Sequence, residues 1–314
     1  MSIDLPLVRG HVDPAVHLRN RATPSELIGS GDADIIVVDP AGFVLLDEAG
    51  EAGEAASVAP SLRRLTQREA VGALVVNPAS FIGVSQGRRV VAVEASRDDL
   101  PGRWEHLRAV GWLLGGDETA LALTALALAT WHRDYRFCGR CGTPVSLESG
   151  GWAARCGGCD RLEYPRQDPA VIVLVLDHDD RALLAHNALW KPGFVSIIAG
   201  YVEAGESPDL AVAREVAEEA GVAIEPPTYV ATQPWPFGRS QMMGYRARTA
   251  EARPTPEADG DEIEWARFYG RDELRRALQT GQISAPGRAS IAYALLASWY
   301  GADLPTRPEA TGRS

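Results

Sequence analysis

No apolar run in the 314-residue sequence approaches a membrane span: LALTALALA, residues 121–129, falls far short of the ~20 residues needed. The opening MSIDLPLVRGH carries an early Asp and no apolar stretch, so it does not read as a secretion signal. Surplus positive charge is missing too. A net charge of −11 argues against a generic nucleic-acid binder, which needs excess Lys and Arg to neutralise phosphates, although a locally basic site stays open. Cysteine is scarce: four residues, all between 138 and 159, leave none for a disulfide framework elsewhere. The six histidines show no ligand spacing. These absences predict a soluble cytoplasmic protein with no membrane partner. What is present, 46% hydrophobic and 23% charged residues, is ordinary globular composition, with length for two or three domains.

The first 118 residues hold short apolar runs split by turn residues, DIIVVD (34–39), GFVLL (42–46), GALVV (72–76) and RRVVAVEA (88–95). They read as strands of a β-rich domain, with GEAGEAAS (50–57) as a loop, and carry no nucleotide-binding fingerprint. Residues 117–135 read as a helix, acidic at its start and basic at its end, as the helix dipole favours. Beyond the cysteines, 170–176 reads as a buried strand and RALLAH (181–186) as its hairpin partner. Strands at 242–249 and 264–269 and helices at 271–280 and 287–300 follow, before a tail from about 301.

The cysteines form two C-x-x-C pairs, Cys138/Cys141 and Cys156/Cys159, with glycines inside or beside each pair. Such knuckles let backbone amides face the sulfurs, and four thiolates match tetrahedral zinc with no position left for water. A structural Zn²⁺, one per chain, is therefore expected. Redox dithiols are the competing reading.

In GYVEAGESPDLAVAREVAEEAGV (200–222), Ser207-Pro208 starts a helix and Gly221 stops it. Glu215, Glu218 and Glu219 then share one face at i, i+3 and i+4. Three such anions are either a solvated acidic face or a site for Mg²⁺ or Mn²⁺, whose hard charge suits carboxylate oxygen. The wider spacing, Gly200, five residues, Glu206, seven residues, then Arg214-Glu215-Val216-Ala217-Glu218-Glu219-Ala220-Gly221-Val222, resembles the Nudix box G-x5-E-x7-R-E-U-x-E-E-x-G-U at every fixed position.

In a second stretch, QPWPF (233–237), two prolines bracket Trp235 and Phe237 follows; the prolines stiffen the chain and push it toward extended geometry. Alone it could be a core plug. Gln233-Pro234-Trp235-Pro236-Phe237-Gly238-Arg239-Ser240 resembles the S-Q-P-W-P-F-P-x-S array of the NADH pyrophosphatases within the Nudix family. The zinc ribbon ahead of the box and the Y-P-R-x-D-P-A-V-I run at 164–172 resemble that subfamily as well, and the likeness covers about residues 119–300. Three departures stand out: Thr232 replaces Ser, Gly238 replaces the third proline, and Gln241 stands where an apolar residue is common.

The resemblance implies an α/β fold, a Nudix α/β/α sandwich preceded by a zinc ribbon and a β-rich N-terminal domain. Its boundaries would be 1–118 for the β-rich domain, 119–135 for a linking helix, 136–163 for the ribbon, 164–300 for the Nudix domain and 301–314 for a flexible tail. It implies metal-dependent hydrolysis of the pyrophosphate of NADH or NAD⁺ to NMNH or NMN plus AMP, and the same chemistry on RNA carrying an NAD cap, by a homodimer. Glu215 and Glu219 would be the principal Mg²⁺ or Mn²⁺ ligands and Glu218 a supporting one, with Arg214 orienting a glutamate and Glu206 bracing the loop. The general base varies within the family; Glu219 is the candidate here. Ala199 matches a backbone-carbonyl metal contact. Glu262 matches a further carboxylate ligand, in a run where Asp259, Asp261 and Glu264 are neighbours. Gln233 through Ser240 would line the dinucleotide pocket, with Tyr201 stacking on a base, Tyr164 reaching across the dimer and Ala292 on the last helix. Flat partners on a stiff support suit a nicotinamide or adenine ring. The alternatives are a broader hydrolase of ADP-ribose and other dinucleotides, and a non-catalytic zinc-ribbon binding module.

Overall fold

The computed structural model describes residues 3–48, 59–74 and 78–305. The chain divides into two compact units: one comprises residues up to Leu5, 168–233 and from 241 onward, and the other residues 6–167 and 234–240.

The N-terminal unit is built on a five-stranded sheet of β1 (Ala33–Asp39), β2 (Phe43–Leu46), β3 (Ala79–Ser85), β4 (Arg88–Glu94) and β5 (Arg103–His106), in the order β3-β4-β1-β2-β5. β1 runs parallel to β4 and the other pairs are antiparallel. Two helices, one before β1 and one between β2 and β3, stand where sequence patterning gave none. Before α1 (Pro24–Ser30), Thr23 and Glu26 form a reciprocal capping box with Pro24 at the first turn. Before α2 (Gln67–Leu74), the Thr66 hydroxyl accepts from the Glu69 amide at 3.3 Å while the Glu69 carboxylate accepts from the Thr66 amide at 2.8 Å. That cap corrects the strand expected at GALVV: its residues 72–74 belong to α2, because T-x-x-E starts a helix that the valines after it do not undo. Residues 75 and 76 of that run, the loop expected at 50–57, and 306–314 of the expected tail lie outside the described residues.

A one-turn helix, α3 (Leu107–Val110), follows β5, and α4 (Gly116–Asp134) leads into a three-stranded ribbon, β6 (Val145–Glu148), β7 (Ala153–Cys156) and β8 (Leu162–Glu163). Among the described residues no helix is long and apolar enough to cross a membrane.

The C-terminal unit is a mixed α/β layer structure. Its sheet holds β9 (Asp168–Leu176), β10 (Ala182–Asn187), β11 (Ile198–Tyr201), β12 (Thr228–Trp235), β13 (Ser240–Arg248) and β14 (Ile263–Tyr269), in the order β12-β13-β9-β10-β14 with β11 also paired to β9. β9 and β10 form the hairpin read from the sequence. Successive side chains of β9 alternate between faces, and both faces are apolar, so helices cover both. Val171, Val173 and Val175 pack with Val212 and Val216 of α5 (Pro208–Ala220). Ile172 and Leu174 pack with Leu274 and Leu278 of α6 (Arg271–Thr280) and with Ile291 and Leu295 of α7 (Ile291–Tyr300).

Candidate active site

Helix α5 begins as the sequence implies. Ser207 sits at the N-cap with extended backbone, although its side chain makes no capping bond; Pro208 opens the first turn and Gly221 closes the helix at φ 63°. Val212, Val216 and Ala220 anchor it to the sheet, which turns the Arg214/Glu215/Glu218/Glu219 side toward β11 and the loop after it.

Arg214 organises this face. Its Nε donates to Glu206 Oε1 at 2.9 Å and its Nη2 to Glu206 Oε2 at 2.8 Å, a bidentate pair. Nη1 donates to Glu215 and to Glu218, each at 2.8 Å, and Nη2 also reaches the Tyr201 carbonyl at 3.0 Å. One guanidinium thus fixes three of the four box carboxylates and the loop backbone. The hydrogen bond from Arg214, helped by the Glu203 amide, holds the Glu206 carboxyl below its ordinary value. Gly200 is glycine for a local reason: a Cβ there would lie 2.0 Å from the Glu215 carboxyl carbon, so the glutamate is laid directly on the backbone of β11.

Glu219 is the carboxylate left without a cation. It is only 6% exposed, and among the described residues no basic side chain pairs with it. Burial, then the charges of Glu215, Glu262, Asp259 and Glu218, push its pKa up to about 8. Burial also raises Glu215, against the opposing effect of Arg214. The structure sorts the acidic run 259–264. Asp259 accepts from the amides of Asp261 and Ile263 at 3.1 and 2.8 Å and so closes the turn. Glu264 is 3.6 Å from His186. Glu262, held by the Asn187 amide at 3.2 Å, is the loop residue whose charge bears on both Glu215 and Glu219.

A buried carboxyl hemmed in by four others and no cation is a donor set for a hard divalent ion, so Mg²⁺ or Mn²⁺ fits these residues. Their oxygens are not drawn into one tight cluster: among the described residues only the four cysteines gather three or more ligand atoms within 4.8 Å of one another. Mutual repulsion and the pull of Arg214 on Glu215 and Glu218 account for the spacing. Ala199 lies on β11 opposite Ile172 of β9, beside Gly200. Tyr201, 55% exposed, ends the same strand. Gln233 is fully buried; its Nε2 donates to the Ala289 carbonyl at 3.1 Å and its Oε1 has no partner. Ala292, less than a turn beyond Ala289 on α7, is buried in the core.

The remaining aromatic-array residues, Pro234 to Ser240, belong to the N-terminal unit. Trp235 is the last residue of β12 and extended. Phe237 is not: residues 236–239 form the turn of the β12–β13 hairpin, with Arg239 at φ 60°. The straight strut expected from the prolines is therefore a strand end followed by a tight tip, since two strands must reverse direction there. The two rings meet edge to face, with centroids 4.8 Å apart. Pro236 and Ser240 are buried, Pro234 and Gly238 exposed. Arg239 pairs with Asp134 at 3.0 Å. Tyr164, 63% exposed, shares a cavity with Trp131, Tyr135, Arg161, Arg166 and Arg239.

In the ribbon, Cys138 and Cys159 sulfurs are 3.7 Å apart and those of Cys141 and Cys156 3.4 Å, close to the ~3.8 Å edge of a tetrahedron with Zn–S bonds of about 2.3 Å. Amides of Arg140, Gly158 and Cys159 point at the sulfurs at 3.3–3.4 Å. Hydrogen bonds with Thr143 lower the Cys141 thiol to about 6. Cys159, despite the Arg161 amide, is pushed up to about 11 by neighbouring thiols and burial. Four thiolates cannot coexist here without a cation between them, so the donor set fits structural zinc.

Residues 166–287 match the NUDIX domain, and residues 133–164 match the NADH pyrophosphatase zinc ribbon domain. The chain is similar to the NAD-capped RNA hydrolase NudC of Mycobacterium tuberculosis, 39% identical over 235 residues that span 70% of this chain and 75% of that protein. It is 42% identical over 199 residues to the NAD-capped RNA hydrolase NudC of Stutzerimonas stutzeri, spanning 63% and 68%. Among solved structures it resembles a Nudix hydrolase from Nitrosomonas europaea, with 21% identity, a TM-score of 0.41, and coverage of 54% of this chain and 94% of that one.

Proposed function

Because the chain belongs to the NADH pyrophosphatase family of Nudix hydrolases, we propose that it hydrolyses the pyrophosphate bond of NADH and NAD⁺, giving NMNH or NMN plus AMP. The same bond in an NAD cap would yield NMN and RNA with a 5′ monophosphate. The observation that carries this reading is the box itself: Arg214 holds Glu206, Glu215 and Glu218 in place while buried Glu219 stays uncompensated.

The residues divide the work. Glu215, Glu219 and Glu262, with the Ala199 carbonyl, would hold Mg²⁺ or Mn²⁺; Glu218 supports them. When bound, the ion neutralises the diphosphate and acidifies water. Glu206 and Arg214 lock the loop between β11 and α5, so the carboxylates keep their aim. Glu219 is the candidate, once the ion has displaced its proton, to receive the proton of the attacking water. Tyr201, Tyr164 and the array Gln233–Ser240 supply flat surfaces and amide groups for the dinucleotide, and Ala292 contributes from α7. Four cysteines and one Zn²⁺ staple the ribbon and take no part in the chemistry. The working form is a cytoplasmic homodimer, as the resemblance implies.

The test is product analysis with NADH and Mg²⁺ or Mn²⁺ in H₂¹⁸O, beside Glu219→Gln. NMNH and AMP from the wild type alone, with the label on one phosphate, support the reading. No cleavage, or equal cleavage by the variant, overturns it.

A further inference from the structure

We propose that the C-terminal unit carries a second anion site, apart from the box, where Arg246 and Arg248 take a phosphate group, either as the free ion or at the end of a nucleotide. A cavity of about 710 Å³ lies there, with Leu176, Glu225, Thr228, Tyr229, Arg246 and Arg248 on its lining. The sheet keeps it away from the residues described above. Leu176 ends β9 and lies five residues beyond Val171, the partner of Gly200, so about 17 Å of strand separates them. Thr228 opens β12, and the buried Gln233 is likewise five residues, about 17 Å, further along.

Strand β13 brings the two arginines together. Tyr245 and Ala247 pack in the core beneath α5, so Arg246 and Arg248 share the opposite face. On that face Arg246 Nη2 donates to Ser298 of α7. Arg248 Nη1 donates to the Asp177 carbonyl at 3.3 Å, and the Arg248 carbonyl accepts the Glu225 amide at 2.8 Å. The Thr249 amide donates to the Leu176 carbonyl at 3.0 Å and pins the end of β13 to β9. Backbone bonds on both sides therefore fix the roots of the two guanidinium groups.

These cations lack an anion. Nearby arginines find carboxylates, Arg181 at Asp177 and Arg271 at Asp180, each at 2.6 Å. Among the described residues no carboxylate pairs with Arg246 or Arg248, whose side chains reach only a hydroxyl and a carbonyl. Arg246 Nε is buried and has no hydrogen-bond partner. A buried donor without an acceptor is costly, and a bound anion would satisfy it. Guanidinium groups present paired donors that match phosphate oxygens. Glu225 is the one carboxylate on the lining, so the cavity keeps a surplus positive charge in a chain of net charge −11. The site draws on no part of the hydrolase reading.

The experiment is isothermal titration of the full-length, zinc-containing protein with inorganic phosphate, AMP and adenosine, at constant ionic strength and without added Mg²⁺ or Mn²⁺. Leaving out the catalytic ion leaves the box glutamates to repel phosphate. One phosphate per chain is expected. Arg246→Gln and Arg248→Gln should each weaken it about tenfold or more, the loss of one charged hydrogen-bonding partner. Arg248 is exposed, so its variant keeps the test valid should Arg246→Gln fail to fold. Glu225→Gln removes the opposing charge and should tighten binding about twofold to fivefold, a change that a merely structural role would not produce. The kcat and KM of Arg248→Gln for NADH should match the wild type. Phosphate bound without AMP assigns the site to the free ion; AMP bound, with or without phosphate, while adenosine is not, extends it to a nucleotide's phosphate. Absence of both phosphate and AMP binding in the wild type overturns the site. So does unchanged affinity in Arg248→Gln, weaker binding in Glu225→Gln, or adenosine bound as tightly as AMP.

Discussion

Arg214 grips Glu206 with two parallel hydrogen bonds of 2.9 and 2.8 Å. Glu206 caps the loop between β11 and α5 while the same guanidinium steers Glu215 and Glu218. A bidentate arginine is not replaced by lysine, which offers a point charge on a flexible stem. Arg214→Lys is therefore expected to lower kcat/KM by about 10- to 100-fold, an effect of about 1.4–2.8 kcal/mol. Glu206→Gln, which keeps one arm of the pair, should fall less. Kinetics with NADH checks the order; equal activity of Arg214→Lys and wild type would remove Arg214 from any orienting role.

The raised pKa of Glu219 has a signed consequence for stability. In the metal-free fold the group titrates at about 8, against 4.5 for an ordinary glutamate. The native state then holds a proton that the unfolded chain has released. Its contribution to stability is complete below about pH 4.5 and is lost as pH rises through about 8. The chelator-treated protein should melt at progressively lower temperature from pH 5 to pH 8.5. Mg²⁺, which replaces the proton as counter-charge, should flatten that slope, and Glu219→Gln should abolish this part of it. Melting curves at five pH values, with and without Mg²⁺, decide the matter; an identical slope in Glu219→Gln would assign the proton elsewhere.

What the sequence disclosed and what it withheld follow from the range of the contacts. Glu215, Glu218 and Glu219 share a helix face through spacing alone, and two C-x-x-C pairs within 22 residues, 138–159, declare their metal. The glycine of the box was legible as pattern; its cause, the Glu215 carboxyl lying on the β11 backbone, needed coordinates. The tip Pro236–Arg239 was misjudged as straight because proline restricts φ without saying which way two paired strands turn. The packing of His106 and Arg108 against the Phe237 ring carried no signal at all. Nothing local distinguishes a ring or guanidinium that packs on its neighbours from one that packs on a hairpin tip far along the chain.

The cysteine cluster predicts one zinc per chain, measurable by a colorimetric chelator after thiol modification. Cys156→Ala should lose the metal and with it the ribbon, whose three short strands hold little apolar surface of their own. A structural zinc contributes on the order of 10 kcal/mol to such a module. Chelation should therefore lower the melting temperature sharply. A metal-to-protein ratio near zero in a fully folded sample would instead support a redox role for the thiols.

His132 of α4 lies 2.6 Å from Glu94 of β4 through Nδ1 and 2.8 Å from the Gly151 carbonyl through Nε2, both contacts buried. A carbonyl can only accept, so Nε2 carries a proton, and a second proton lies between Nδ1 and the carboxylate. His132 thereby ties the N-terminal sheet, the long helix and the ribbon together. It is aided by Trp152, whose indole donates to the Phe81 carbonyl at 2.7 Å. His132→Leu fills the volume but strands Glu94, a buried carboxyl already raised by its burial. Removing one partner of such a pair costs about 3 kcal/mol or more. Glu94→Gln with His132 intact keeps a hydrogen bond and should cost less, and the double variant Glu94→Leu/His132→Leu should recover part of the loss. Denaturant melts of the three variants test this directly. If His132→Leu is as stable as the wild type, the three-way tie is incidental to the fold.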